Sequence, residues 1–361
     1  MRKRIACIVG ARPNFIKMAA ILEEIKERSS LEKLLIHTGQ HSSPEMSDCF
    51  FEELRLPPPD VFLGISGGTG TQQTASIMQK LEDTFAEQRP DLVLVVGDVN
   101  STLAAALVAA KAGIPVAHVE AGLRSNDRRM PEEINRLMTD AISDYLFTSE
   151  SGASAQLRRE GVAPERIHFA GNVMIDTLLR FREEASRSGV LETLGLRPRG
   201  YVVATLHRPS NVDEPGRLRE LLAMLERLDE RLPVVFPVHP RTRMRMAEAG
   251  LTTSVRLIDP LGYLDFLRLT SEARMVLTDS GGIQEETTIL QVPCLTLREN
   301  TERPATITHG TNQLVGVDPE NALRHAFALL GGPEPIARRP ERWDGRAAKR
   351  ILDVLEPALM G

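Results

Sequence analysis

The chain of 361 residues carries 44 Lys and Arg against 49 Asp and Glu, a formal charge of −5. It therefore has no basic excess to hold a nucleic-acid backbone, and no run reaches the ~18 apolar residues of a membrane span. A hydrophobic share of 42% with only 4% aromatics excludes disorder and favours helices packed on parallel sheets over a β-sandwich.

At roughly 100–200 residues per domain, the length predicts two or three domains. Cys7, Cys49 and Cys294 are scattered without paired spacing, which fits a reducing cytosol and offers neither a disulfide framework nor a zinc site. Arg2, Lys3 and Arg4 precede only five apolar residues before Gly10. That is too short for a secretory signal, so a cytoplasmic protein beginning with a strand is expected.

Short β-branched runs then alternate with helix-period segments. Strands are predicted at 4–9, 34–38, 92–96, 116–119, 145–147 and 167–169, with helices at 13–28, 71–87, 101–112 and 131–143. The second half repeats the pattern, with strands at 201–205, 234–237, 255–257, 275–277 and 294–297. Helices at 214–229, 263–269, 284–290 and 321–330 fill those gaps, and a last helix is expected at 345–355 with Pro357 just beyond it. Such alternation means βαβ units and parallel sheets, and eleven strands are many for one open sheet. The expected class is α/β with two Rossmann-like doubly wound domains facing across a cleft. Residues 1–171 form the first, with 345–361 packing back on it, and 172–344 form the second.

The unusual polar residues cluster at the carboxyl ends of predicted strands, where open α/β sheets bind ligands. The strand at 92–96 runs into Gly97-Asp98 and the next into Glu120-Ala121-Gly122. Asp98 and Glu120 are expected on adjacent strands ~5 Å apart, or two strands apart at ~10 Å. Two carboxylates on one edge are costly unless they meet cations or do chemistry. Glu132 and Arg136 fall at i, i+4, a spacing usual for a surface pair. His207 and His239 also end strands, and Ser280-Gly281-Gly282 opens a helix whose free N–H groups suit a phosphate. Glu285 and Glu286 lie just inside it, where a carboxylate could accept the hydroxyls of a ribose. Arg12, Lys17, Arg208 and Arg303 are candidate cations for the same anion, although any one alone is ordinarily a solvated charge. No Walker loop occurs, and Gly68-Thr69-Gly70 lacks the third glycine of a dinucleotide fingerprint, so no NAD is expected.

Nine ordered segments resemble the non-hydrolysing UDP-N-acetylglucosamine 2-epimerases: GARPNFIKMA (10–19), HTGQH (37–41), VVGDVNST (95–102), HVEAGLRS (118–125), MPEEINR (130–136), LHRPSNVD (206–213), PVHPRT (237–242), LTDSGGIQEE (277–286) and LRENTERP (297–304). The resemblance implies a glycosyltransferase-B architecture and a homodimer without metal or NAD. It also implies interconversion of UDP-GlcNAc and UDP-ManNAc for surface polysaccharide precursors, by elimination of UDP to a glycal and re-addition. It implies acid/base and charge-stabilising work for Asp98, Glu120 and Glu132, with His207 assisting UDP departure. Around UDP it implies Arg12, Lys17, Arg208, His239, Ser280, Gly281, Gly282, Glu286 and Arg303, with Glu286 on the ribose. The run Val99-Asn100-Ser101-Thr102 and the loop 125–130 differ from the best-known members. A UDP-diacetamido-uronic acid is therefore an alternative sugar, and a UDP-sugar glycosyltransferase of the same fold is an alternative reaction. Ser42-Ser43-Pro44 and the stretch 67–73 lack the fixed positive charge of an activating second-nucleotide site.

Overall fold

The computed structural model describes residues 2–40, 50–333 and 337–361. Ser42, Ser43, Pro44 and Cys49 lie outside the described residues. The chain divides into two compact units, Met1–Arg180 with Glu341–Gly361, and Phe181–Pro340. The seam expected at Gly171–Asn172 falls just before the helix Val173–Ala185, which carries the chain across the division.

In the first unit seven described strands form a sheet. They are β1 (Lys3–Val9), β2 (Leu31–His37), β3 (Val61–Phe62), β4 (Leu92–Val96), β5 (Val116–Val119), β6 (Tyr145–Thr148) and β7 (Ile167–Phe169). Their order is β3-β2-β1-β4-β5-β6-β7, and every pair is parallel. The sequence Leu92-Val93-Leu94-Val95-Val96 is buried throughout, as a central strand covered on both faces must be. The second unit holds β8 (Val202–Thr205), β9 (Val234–Pro237), β10 (Arg256–Ile258), β11 (Met275–Thr278), β12 (Cys294–Thr296) and β13 (Asn312–Leu314) in the order β10-β9-β8-β11-β12-β13. Counted within the unit, that is the doubly wound order 3-2-1-4-5-6. A separate hydrophobic core, including Leu218, Leu225, Phe236 and Leu295, fills it.

The strands that periodicity misses, β3 and β13, lie at sheet edges and span only two and three residues. The helices Ser151–Arg159 and Pro240–Glu248 are also missed, because few of their residues are buried and their apolar stripe is weak. The last helix runs Ala347–Met360, so Pro357 is inside it rather than beyond it. A proline in a final turn removes only one hydrogen bond, and here Gly361 N–H closes on the Pro357 carbonyl at 3.1 Å. This helix returns to the first unit, where Arg28 bonds Asp353 and Glu356 at 2.7 Å each. Asp176 accepts the Ala348 N–H at 2.8 Å. Cys7 and Cys294 are buried, and burial pushes both thiols up to about 12. Among the described residues no helix is long and apolar enough to cross a membrane, and no cluster of His, Cys, Asp or Glu could hold a metal ion.

Candidate active site

In an open doubly wound sheet the ligand crevice forms where strand order reverses, because neighbouring loops there leave in opposite directions. In the first unit that point lies between β1 and β4, whose ends carry Gly10-Ala11-Arg12 and Gly97-Asp98. Asn14 joins the two turns: its Oδ1 accepts the Ala11 N–H at 3.1 Å and its Nδ2 donates to the Val96 carbonyl at 2.9 Å. Thr38 and Ser101 hydroxyls meet beside them at 2.8 Å. Strands β4 and β5 are direct neighbours, with Val96 opposite Val119. Asp98 and Glu120 therefore end adjacent strands, the nearer of the two arrangements the spacing allowed.

Each of these carboxylates meets a buried cation. Lys17 pairs with Glu120, both side chains being 5% exposed, so neither is a solvated surface charge. Glu120 also has a φ of 76°, a conformation that costs a non-glycine residue on the order of 1–3 kcal/mol and is kept where surroundings demand it. Asp98 pairs with Arg136, whose side chain is only 2% exposed. Asp98 is half-buried and does not cap the following helix, whose cap is Val99. The surface pair expected of Arg136 is replaced by a buried network, because the guanidinium also binds Glu133 at 2.7 and 2.9 Å. Glu133 in turn accepts the Ser125 and Asn126 N–H groups at 3.0 and 2.9 Å. Burial raises its affinity for a proton, but those N–H groups and Arg136 outweigh this and hold it below the usual carboxylate range. Glu132, half-buried, is on the first turn of the same helix, Pro131–Ile142. Arg12 lies over the Phe50 ring at 5.2 Å.

The second unit's reversal lies between β8 and β11. Strand β8 leads to His207-Arg208 and β11 to Asp279-Ser280-Gly281. Asp279 is fully buried and accepts from His207 N at 3.0 Å, Arg208 N at 2.9 Å and Asn211 Nδ2 at 3.1 Å. Its other partner is His207 Nδ1 at 3.0 Å. Burial alone would raise this carboxyl, yet His207 and the N–H donors bring it down to about 2. His207 and His239 rings lie 5.4 Å apart. The exposed His239 accepts the Arg241 N–H at 3.2 Å and so caps the helix Pro240–Glu248.

Ser280 caps the helix Gly281–Leu290 by position, its own N–H donating to Thr278 Oγ1 at 2.9 Å. Gly282 is half-buried in its first turn. At Gly281 a Cβ would stand 2.5 Å from the Arg303 guanidinium, which would have to shift to admit it. Arg303 is buried against Glu285 at 3.1 Å and against Glu302. Glu302, 2% exposed, also meets Arg298 at 2.8 Å and Arg208 at 3.9 Å. Glu286 is buried in the second helical turn. Burial first, and the neighbouring Glu285 charge second, push its carboxyl up to about 8.

The structure thus brings Arg12, Lys17, Asp98, Glu120 and Glu132 to the first unit. It brings His207, Arg208, His239, Ser280, Gly281, Gly282, Glu286 and Arg303 to the second. Sequence reasoning missed His118 and Asp140, whose side chains meet at 2.6 Å beneath the first edge, and Arg298 with Glu302 beneath the second. A usable signal for the former was the stripe Glu133, Arg136 and Asp140, at i, i+3 and i+7 of one helix. For the latter no periodic signal existed.

Two Rossmann-like units, one edged with cation-paired carboxylates and one with a glycine-opened helix start, define an α/β protein of the doubly wound class. The family model for UDP-N-acetylglucosamine 2-epimerase matches residues 23–356. A UDP-N-acetylglucosamine 2-epimerase of Methanococcus maripaludis is 39% identical, with 98% of each chain covered. A UDP-2,3-diacetamido-2,3-dideoxy-D-glucuronate 2-epimerase of Pseudomonas aeruginosa is 43% identical, covering 98% of this chain and 99% of that one. The Methanocaldococcus jannaschii UDP-GlcNAc 2-epimerase, solved with UDP-GlcNAc and UDP, superposes with a TM-score of 0.92 at 40% identity, covering 98% and 99%. The chain belongs to the UDP-N-acetylglucosamine 2-epimerase family and is a UDP-sugar 2-epimerase, an isomerase.

Proposed function

We propose that this enzyme interconverts UDP-GlcNAc and UDP-ManNAc without net hydrolysis. The observation that carries the reading is the carboxylate edge of the first unit, in a chain related over its full length to UDP-sugar 2-epimerases. The C2 proton of an N-acetylhexosamine is not acidic, so direct deprotonation is unfavourable. Instead the C1–O bond breaks, its electron pair leaves with the β-phosphate oxygen, and the C2 proton passes to a base as the C1–C2 double bond forms. Re-addition of UDP with protonation from the opposite face inverts C2. Asp98, Glu120 and Glu132 supply the base, the acid and the negative charge facing a developing oxocarbenium ion. His207, oriented by Asp279, steadies the departing diphosphate.

In this reading Ser280, Gly281 and Gly282 offer N–H groups to the diphosphate. Arg12, Lys17, Arg208, His239 and Arg303 complete the nucleotide's surroundings, and Glu286 receives the ribose hydroxyls. We further infer a cytoplasmic homodimer that makes surface polysaccharide precursors; light scattering of the purified protein checks the oligomer. Identity to the diacetamido-glucuronate enzyme, 43%, favours that sugar as the second reading. Incubation with each UDP-sugar in D₂O decides between them. Epimer with deuterium at C2 from UDP-GlcNAc is expected. Free sugar, or turnover of the uronate alone, would overturn the assignment.

A further inference from the structure

Beneath the carboxylate edge of the first unit lies a pair of ionisable groups that the proposed chemistry does not use. His118 on β5 is 0% exposed and Asp140 on the helix Pro131–Ile142 is 2% exposed. The ring's Nδ1 lies 2.6 Å from Asp140 Oδ1, and its Nε2 lies 2.8 Å from the Gly97 carbonyl. Both ring nitrogens therefore face acceptors. A carbonyl can only accept, so Nε2 carries a proton. Asp140 already receives the Gly122 N–H at 3.0 Å and Arg124 at 2.7 Å on its other oxygen. Burial works against its charge, but His118 and Arg124 outweigh that and hold the carboxyl below its ordinary range. One proton must lie between Nδ1 and Asp140 Oδ1, since two bare lone pairs cannot face each other at that distance. Arg124 is anchored from behind by Glu160 at 2.7 and 2.9 Å.

The partners of this pair are informative. Gly97 directly precedes Asp98, and Gly122 follows Glu120 by two residues. Gly122 has a φ of 81°, and a Cβ there would stand 2.6 Å from the Ala153 carbonyl, so this turn requires glycine. A single buried histidine–aspartate pair consequently ties the turn that carries Asp98 to the turn that carries Glu120.

We propose that His118 and Asp140 are positioning residues for epimerisation: buried and hydrogen-bonded to each other, they fix the spacing of the Asp98 and Glu120 carboxylates. The proposal rests on the epimerase reading above, because that reading assigns those carboxylates to the sugar ring. A misplacement of about 1 Å in a reacting group can cost on the order of 100-fold in rate.

The test uses the full chain with His118→Gln and Asp140→Asn, singly and combined. Each single variant should lower kcat at least ~30-fold, while KM for UDP-GlcNAc and affinity for UDP change less than ~3-fold. The double variant should fall little further, since the two groups act as one unit. Asp140→Glu should recover part of the loss. Single variants with kcat within ~3-fold of the parent overturn the proposal, as do losses confined to KM. Should the substitutions prevent folding, ¹⁵N-histidine spectra decide in their place. They are recorded on a His207→Asn background. One ring with a strongly downfield, exchange-protected N–H proton bonded to a carboxylate is expected, and its absence overturns the proposal. Failure of the parent protein to epimerise either UDP-sugar would instead count against the epimerase reading, and the spectra would still decide the state of the pair.

Discussion

The two units share one strand order around their reversal points, yet they fill those points with opposite chemistry. At the first, carboxylates end neighbouring strands and cations are buried behind them: Lys17 behind Glu120, and Arg136 behind Asp98 and Glu133. At the second, guanidinium groups gather on the buried Glu302, the fully buried Asp279 carboxylate holds His207, and the edge presents a helix start and a histidine. A topology that leaves a crevice does not choose its ligand. What chooses is which charge the fold can afford to bury behind the edge, because a buried ion is tolerated only with its partner. The first edge suits proton transfer at a sugar ring, and the second suits a diphosphate and a ribose.

If that division is right, substitutions at the two edges separate turnover from binding. The largest effects belong to the first edge. Asp98→Asn, Glu120→Gln and Glu132→Gln should each lower turnover at least ~100-fold with UDP affinity nearly unchanged, as steady-state rates and UDP titrations would reveal. Near-normal turnover in all three would break the comparison. Gly281→Ala should do the reverse. Its Cβ displaces the Arg303 guanidinium, and losing one charge-assisted contact to a diphosphate weakens binding roughly 10–150-fold. Calorimetric titration with UDP measures it.

Much of this division was legible in the sequence, because strand ends are marked by glycine and the polar residues follow them. Asp98, Glu120, His207 and the Ser280 turn could be placed at the sheets' carboxyl edges from alternation alone. The supporting charges could not. The helix Pro131–Ile142 buries Glu133, Asn135, Arg136, Thr139 and Asp140 while Ile134 and Met138 are exposed. Its amphipathicity is inverted, so a rule that turns apolar residues inward mistakes its inner face for its outer one. His118 sits alone in a strand, and only the fold shows that its partner lies on a helix 22 residues further on. Arg298 and Glu302 occupy a loop, where no period exists to read. Edge strands β3 and β13 escaped for the related reason that two or three residues carry no alternation.

A smaller effect tests whether a buried carboxylate without a dominant cation really behaves differently. Glu286 has its pKa raised from 4.5 to about 8 by burial and by Glu285. The proton is therefore bound in the folded, nucleotide-free unit at neutral pH. The resulting stability is complete below about pH 4.5 and is lost as pH rises through about 8. Accepting both ribose hydroxyls requires the ionised form, so UDP binding near pH 7 should release about one proton. Calorimetry in buffers of different ionisation enthalpy reads that number directly. Glu286→Gln should release none and bind UDP more weakly. An unchanged release would move the proton to another group and remove Glu286 from the ribose.

The smallest expected effect lies away from both edges and serves as their control. Asp176 is buried, and its carboxylate caps the last helix through the Ala348 N–H. Burial, with the nearby Asp344 charge, raises it from 3.8 to about 6 despite those N–H groups and Arg350. The sign follows from the raised value: its contribution is complete below about pH 4 and is lost as pH climbs through about 6. Roughly two pKa units correspond to on the order of 2–3 kcal/mol at pH 8, held as the cost of an ionised buried acid. Asn keeps the shape and the accepting oxygen, and it caps helices about as well as Asp. Its extra N–H donors offset part of the gain. Asp176→Asn should therefore leave turnover unchanged and raise stability by about 1 kcal/mol at pH 8, with no gain at pH 5. Urea unfolding at both values checks this.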